Sequence, residues 1–334
     1  MKIIVPMAGM GKRMRPHTLT TAKPLIPVGG KPIVQHLMED IIKMCNNDKV
    51  EEIAYIIGNF GKEVEQNLIK IAESLGAKGT IYYQDEPLGT AHAILCAAPS
   101  LSGRMVIAFA DTLFRADFQV PKDCDGVIWV KQIEDPRQFG VVKVNADGII
   151  TDFVEKPKEF VSDLAIIGIY YVTDGANLKK ELQYLIDNDI KDKGEYQLTN
   201  ALENMKTKGL KLKAGKVDEW LDCGNKDATV YTNRRVLEIK NPLSHIDSSA
   251  KLVNSSIVHP CYIDAGAVIE NSVIGPHASV GTKTSISSSV ISNSIIQSNA
   301  SISNALVTNS LIGNHTILKG KMQDLSMGDY STEG

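Results

Sequence analysis

Membrane spans, disulfide frameworks and broad nucleic-acid surfaces are all missing from this chain. No apolar run in its 334 residues approaches the length of a membrane-spanning helix. The formal charge of −3 gives no bulk attraction for nucleic acid or for an anionic membrane, so any cationic site must be local. The five cysteines (Cys45, Cys96, Cys124, Cys223, Cys261) contain no Cys-x-x-Cys pair, which argues against a thiolate metal site. An odd number without pairing fits reduced thiols packed as small hydrophobes in a cytoplasmic protein. The first residues read directly as a strand, so no secretory leader is expected. Two familiar phosphate loops are absent as well. Gly11-Lys12 is followed by Arg13 rather than by Ser or Thr, which excludes the Walker pattern. Pro16 interrupts the chain where the dinucleotide fingerprint would continue into a helix.

What is present at the N-terminus is a short apolar strand, Ile3–Val5, running into Met7-Ala8-Gly9-Met10-Gly11-Lys12-Arg13. Glycines at 9 and 11 allow left-handed backbone and close approach of N–H groups to a ligand. Lys12, Arg13, Arg15 and Lys23 flank that turn, and such a combination suits a polyphosphate.

The chain has two grammars. Up to about residue 240 short apolar strands (Ile3–Val5, Ile53–Ile57, Thr80–Tyr83, Met105–Ala108, Gly126–Val130) alternate with amphipathic helices over 33–44, 63–75 and roughly 90–98. This predicts an α/β fold with a Rossmann-like, mainly parallel sheet covered by helices on both faces, its ligands at the carboxyl ends of the strands. Residues 227–239 read as a linking helix. Beyond Pro242 an aliphatic residue recurs every five or six positions: Ile257, Ile263, Val268, Ile274, Val280, Ile286, Ile291, Ile296, Ile302, Val307, Ile312 and Ile317. Ser, Asn, Gly, Ala and Thr fill the gaps. Neither a helix nor an alternating strand has that period. A prism of very short parallel strands does, and it resembles the left-handed β-helix of hexapeptide-repeat proteins, with about four coils. The expected organisation is a catalytic domain over 1–240, a β-helix over 241–322 and a polar tail over 323–334.

The N-terminal loop, with Lys23-Pro24-Leu25, resembles the signature of the sugar-1-phosphate nucleotidyltransferases, Lys12 standing for the usual Thr and Ala22 for the usual Pro. Further segments match that family in order through residue 238, and the resemblance implies roles for them. Ala8, Gly9, Met10, Gly11 and Lys12 would cradle the triphosphate. Gln84, Pro87, Leu88, Gly89 and Thr90 would read the base, the Gln amide offering a donor and an acceptor to uracil or thymine. Phe139, Gly140, Glu155, Lys156, Gly168, Glu195 and Trp220 would hold the sugar phosphate. Asp111, in Phe109-Ala110-Asp111-Thr112, and Asp222, in Trp220-Leu221-Asp222-Cys223-Gly224, would bind Mg²⁺.

The implied reaction is attack of a hexose 1-phosphate, expected to be glucose 1-phosphate, on the α-phosphorus of dTTP or UTP. Arg13, Lys23, Asp111, Lys156 and Asp222 would be the catalytic set. The alternatives are a mannose-1-phosphate guanylyltransferase, a bifunctional uridylyltransferase and acyltransferase using His259, His277 or His315, and a regulatory relative that has lost catalysis. No nucleic-acid or membrane partner is expected, and the chain should form a homo-oligomer, its β-helix being the natural contact.

Overall fold

The computed structural model describes residues 1–9, 11–45, 48–116, 124–321 and 325–332. The chain divides into two compact units. One comprises residues 1–26 and 32–224, the other residues 27–31 and 225–334.

The first unit is built on a nine-stranded mixed sheet. Its strands are β1 (Lys2–Pro6), β2 (Glu52–Ile57), β3 (Lys78–Tyr83), β4 (Met105–Ala108), β6 (Gly126–Gln132), β7 (Val141–Val144), β8 (Ile150–Val154), β9 (Leu164–Val172) and β10 (Leu212–Lys216). A separate antiparallel pair joins β5 (Thr112–Arg115) to β11 (Glu219–Asp222). The order β8-β7-β9-β4-β1-β2-β3 puts β1 between β2 and β4, both parallel to it. Helices α1 (Ile33–Met44), α2 (Lys62–Ser74) and α3 (Thr90–Cys96) make the connections among these parallel strands, followed by α4 (Gly175–Asp187) and α5 (Leu198–Thr207). In α1 the buried residues Ile33, Val34, Leu37, Met38 and Ile41 recur at helical spacing and form one apolar face.

Half of the strand pairings are antiparallel, because the chain does not always cross over through a helix. Strands β7 and β8 are joined by the turn Asn145–Ile149. There the Asn145 side chain accepts from the N–H groups of Asp147 and Ile149, and Gly148 takes φ +75°. Strand β9 then runs antiparallel to β4, β6 and β7. The carboxyl ends of β1, β3 and β4 deliver residues 7–9 and 11, 84 and 109–111 to one edge of the sheet. Ile4, Ile56, Ile107, Ile128, Leu178 and Leu202 belong to the core beneath them.

The second unit contains α6 (Lys226–Lys240), capped by the Asn225 side chain, and three parallel sheets of five, five and four strands. Strands on one side begin at 245, 261, 278, 295 and 311, so each coil takes 16 or 17 residues. Four coils are complete and a fifth is partial, the architecture of a left-handed β-helix. Ile263, Ile274, Val280, Ile286 and Ile291 point inward with no exposed surface. Two expected core positions are displaced by one residue. Ile269 is wholly buried rather than Val268, and Leu318 packs on the core while Ile317 is 71 % exposed. Cross-coil pairing of Ile269 with Ile286, and of Ile302 with Leu318, sets that register, and in a strand one step reverses the face.

The abundance of Ser and Asn has a structural cause. Asn254, Asn271, Asn293, Asn299, Asn304 and Asn309 occupy left-handed corners. The Ser272 and Ser289 hydroxyls accept the N–H of Ser289 and Ala305 one coil on. Helix α6 belongs with this unit. Buried Asn233 accepts from the Gly29 N–H (2.8 Å) and the Ser279 hydroxyl (2.7 Å), and donates to the His277 carbonyl (3.2 Å). That helix ends at Lys240, and the second unit gathers residues 27–31 with residues 225–334. The described tail, residues 325–332, carries neither helix nor strand. All five cysteines are free thiols. Among the described residues no helix is long and apolar enough to cross a membrane.

Candidate active site

The turn after β1 forms one wall of a cleft of about 270 Å³ that is also lined by Lys23, Pro24, Gln84, Gly89, Thr90 and Asp111. Gly11 takes φ +56°, and a Cβ there would sit 3.0 Å from Thr18 Cγ2 and 3.1 Å from Lys23 Cβ. The Thr18 hydroxyl donates to the Gly11 carbonyl (2.8 Å), which pins the loop against the stem of Lys23. Ala8 and Gly9 line this cleft, and nothing lies within 4 Å of a Cβ built on Gly9, so that backbone is open to a ligand. Met10 lies outside the described residues.

Charge converges at the floor. Lys23, only 9 % exposed, donates from Nζ to Asp111 Oδ2 at 2.6 Å. The antiparallel β5–β11 pair sets Asp222 opposite Thr112, the residue after Asp111, and the Cys223 N–H donates to the Asp111 carbonyl (2.9 Å). Burial, then the neighbouring Asp111 carboxylate, push the Asp222 carboxyl above its usual range. The Gly224 N–H, Lys23 and Arg13 pull it down. A Cβ on Gly224 would fall 2.8 Å from Asp222 Oδ2 and 3.2 Å from Arg13 Nη2, so only bare backbone fits between those groups.

Two crowded carboxylates favour a cation between them. Among the described residues no cluster of three or more His, Cys, Asp or Glu side chains forms a protein cage. The pair Asp111 and Asp222 suits instead an ion such as Mg²⁺, which takes one or two carboxylates and fills its shell with phosphate oxygens and water.

Residues 84–90 are clasped by residues 195–198. Gly89 has φ +118°, and a Cβ there would lie 2.7 Å from the Tyr196 nitrogen and closer still to its carbonyl oxygen, a position only glycine tolerates. The Tyr196 N–H donates to the Leu88 carbonyl and the Ala91 N–H to the Tyr196 carbonyl, both at 2.9 Å. The Thr90 hydroxyl accepts from the Leu198 N–H (2.9 Å) and donates to Gln197 Oε1 (3.2 Å).

A second cleft, also about 270 Å³, shares Thr90, Phe109 and Asp111 with the first. Arg13, Phe139, Gly140, Glu155, Lys156, Gly168, Trp220 and Asp222 line it. Phe139 meets Trp220 edge-to-face with centroids 4.8 Å apart. A Cβ on Gly140 would sit 3.0 Å from Glu155 Oε2, the oxygen that accepts from the Thr199 hydroxyl (3.2 Å). Lys156 adopts φ +41°; its N–H donates to the Phe139 carbonyl, and Lys193 Nζ donates to the Glu155 and Lys156 carbonyls.

Most residues singled out from the sequence therefore line one cleft or the other. Three lie differently. Lys12 is exposed and lines neither cleft, and Leu88 packs against the core. Glu195, grouped by resemblance with the sugar phosphate, lines the first cleft. Gln138, Tyr170, Gln197 and Thr199 also line the second cleft; they fall within the segments that match the family, but no role of their own was expected for them. Tyr170 lies in β9 and Thr199 in α5, whereas Gln138 is in a turn and Gln197 is the residue before α5.

Comparison with known proteins places these features in context. The Nucleotidyl transferase family model matches residues 2–238. A glucose-1-phosphate thymidylyltransferase of Streptomyces antibioticus is 29 % identical over 313 residues, 86 % of this chain and 85 % of that protein. The bifunctional protein GlmU of Methanococcus maripaludis is 31 % identical over 280 residues, covering 81 % of this chain, which spans only 62 % of that relative. Among solved structures, a Bacillus anthracis chain assigned as a glucose-1-phosphate thymidylyltransferase, in complex with sucrose, has a TM-score of 0.59. Identity there is 24 %, with 70 % of this chain and 93 % of that one covered, a likeness of fold alone.

Proposed function

The chain belongs to the nucleotidyl transferase family, and from that premise we propose that it joins a nucleoside triphosphate to a hexose 1-phosphate, releasing pyrophosphate. The observation that carries this reading is the cationic and acidic cluster of Lys23, Asp111, Asp222 and Arg13 where two clefts share a wall. A sugar phosphate is already a nucleophile, so the reaction asks the protein for alignment and charge neutralisation rather than for a nucleophilic side chain or a general base. The first cleft takes the nucleotide, with the N–H groups of Gly9 and Gly11 on its phosphates. Lys23 leaves Asp111 to meet the α-phosphate, Arg13 stabilises the departing pyrophosphate, and Lys156 holds the incoming phosphate. Glu155 accepts hydrogen bonds from sugar hydroxyls, with Phe139 and Trp220 as the apolar wall. Asp111 and Asp222 would hold Mg²⁺, which when bound supplies charge neutralisation at the phosphate oxygens.

Gln84 in the first cleft favours uracil or thymine, and the relatives named for glucose 1-phosphate favour that sugar. The catalytic domain on this reading is the first unit, and a cytoplasmic homo-oligomer is the working assembly. The test is pyrophosphate release with UTP or dTTP and glucose 1-phosphate in the presence of Mg²⁺. Its absence with every sugar phosphate would count against the reading. A second activity in the β-helix, as the bifunctional relatives suggest, finds less support. His277 is 16 % exposed with its Nε2 3.0 Å from Glu238, and His259 Nδ1 is engaged by the Ser244 hydroxyl at 2.6 Å.

A further inference from the structure

Base selection in this reading rests on a primary amide, and an amide is ambiguous: turned over, it exchanges donor for acceptor. The structure removes the ambiguity. Gln84 Nε2 lies 3.2 Å from the Gly89 carbonyl oxygen and 3.2 Å from His92 Nδ1. A carbonyl can only accept, so the NH₂ group faces it, and His92 must then present the Nδ1 lone pair and carry its hydrogen on Nε2. The Gly89 oxygen is shared, since it also accepts the Ala93 N–H at 3.0 Å. His92 is therefore the side chain that saturates the second amide hydrogen, although it lines neither cleft. With both hydrogens engaged, Oε1 is the polar atom Gln84 has left for the first cleft. The Gln84 N–H, bonded to the Ile57 carbonyl (2.9 Å), fixes the backbone behind it.

We propose that His92 is a positioning residue that locks the Gln84 amide with its oxygen toward the nucleotide, selecting bases that carry a ring N–H. Uracil and thymine offer N3–H to such an acceptor. Cytosine, of the same size, offers a lone pair at N3 and is repelled. The discrimination comes from an unfavourable contact with the wrong base as much as from a favourable one with the right base. The inference deepens the proposed function and rests on its assignment of Gln84.

The test measures the dissociation constants of UTP and CTP with Mg²⁺ by calorimetry, for the full chain and for His92→Ala, His92→Asn and Gln84→Ala. His92→Ala frees the amide and reduces the UTP preference about fivefold, the worth of one neutral hydrogen bond. His92→Asn, whose Oδ1 is an acceptor near the Nδ1 position, restores the preference to within about twofold of the unmodified chain. If His92→Ala does not fold, His92→Leu carries the same expectation. An unchanged preference in His92→Ala or His92→Leu overturns the lock, as does a failure of His92→Asn to restore what either one loses. Gln84→Ala separates the two levels. A preference that survives its loss overturns the assignment of Gln84 itself. A preference lost there but kept in His92→Ala overturns only the role of His92.

Discussion

Arg13 shows how much a single residue can be asked to do. It lines the second cleft beside Asp222, and on the proposed mechanism its guanidinium meets the pyrophosphate as charge builds on the leaving group. Arg13→Ala should lower turnover by ~10²–10³-fold, the range for losing one preorganised charge-stabilising donor. A steady-state pyrophosphate assay reads this directly, and near-normal turnover would remove Arg13 from the reaction. The same scale shows where sequence reading runs out. Lys23 and Asp111 are 88 positions apart; the family resemblance suggested a role for each, but their ion pair carries no signal in the sequence. Glu195 was also legible as a site residue, but its cleft was not. The Gly89–Tyr196 clasp decides which way the 195–198 segment faces, and that clasp is a tertiary contact. Lys193, which holds two carbonyls behind Lys156, carries no signal in the sequence beyond being a lysine.

At the scale of elements, the coils of the second unit were readable because one aliphatic per side repeats with so little else around it. Their exact phase was not. Val268 and Ile269 are both aliphatic, as are Ile317 and Leu318, and only the pairing of adjacent coils decides which member faces inward. The antiparallel part of the sheet was harder still, since β9 owes its direction to the hairpin of β7 and β8 and not to its own residues. Ile286 lies in register between Ile269 and Ile302 with no exposed surface. Ile286→Ala should therefore destabilise the second unit by about 2–5 kcal/mol, the usual cost of a cavity in a close-packed core. Chemical denaturation would show it, and a change below about 1 kcal/mol would mean the coils collapse around the gap.

Helix α6 meets the coils through Glu238 and His277. Burial pushes the Glu238 carboxyl up, but Arg234 and Arg235 outweigh it and hold the group below its usual range. Burial pushes the His277 imidazole below its usual value against the upward pull of Glu238, with Arg234 adding to the downward shift. Both groups bind protons more readily when unfolded. Acidification from about pH 7.5 should lower the melting midpoint, first through the imidazole range near 6.5 and then through the carboxylate range below about 4.5. His277→Asn should flatten the first step. A midpoint that rises through the imidazole range would mean that the Glu238 contact outweighs burial at His277, and would contradict the downward shift.

At the scale of the molecule, a sheet-based unit carrying two clefts and a unit of stacked coils share one chain without sharing a sequence grammar. Chemistry concentrates in the first, where the sequence is varied and close approach dictates glycine at positions 89 and 224 beside the clefts. Repetition concentrates in the second, where Asn corners and Ser hydroxyls satisfy the backbone from coil to coil. The central claim is that the Lys23–Asp111–Asp222 cluster transfers a nucleotidyl group. It is tested most directly by measuring pyrophosphate release with Mg²⁺ for dTTP, UTP, GTP, CTP and ATP. Each nucleotide is paired with glucose, mannose, galactose and N-acetylglucosamine 1-phosphates, with Asp111→Asn beside the unmodified chain. The account predicts release with UTP or dTTP and a hexose 1-phosphate, lost in Asp111→Asn. Release that survives Asp111→Asn, or no release from any pair, would contradict it.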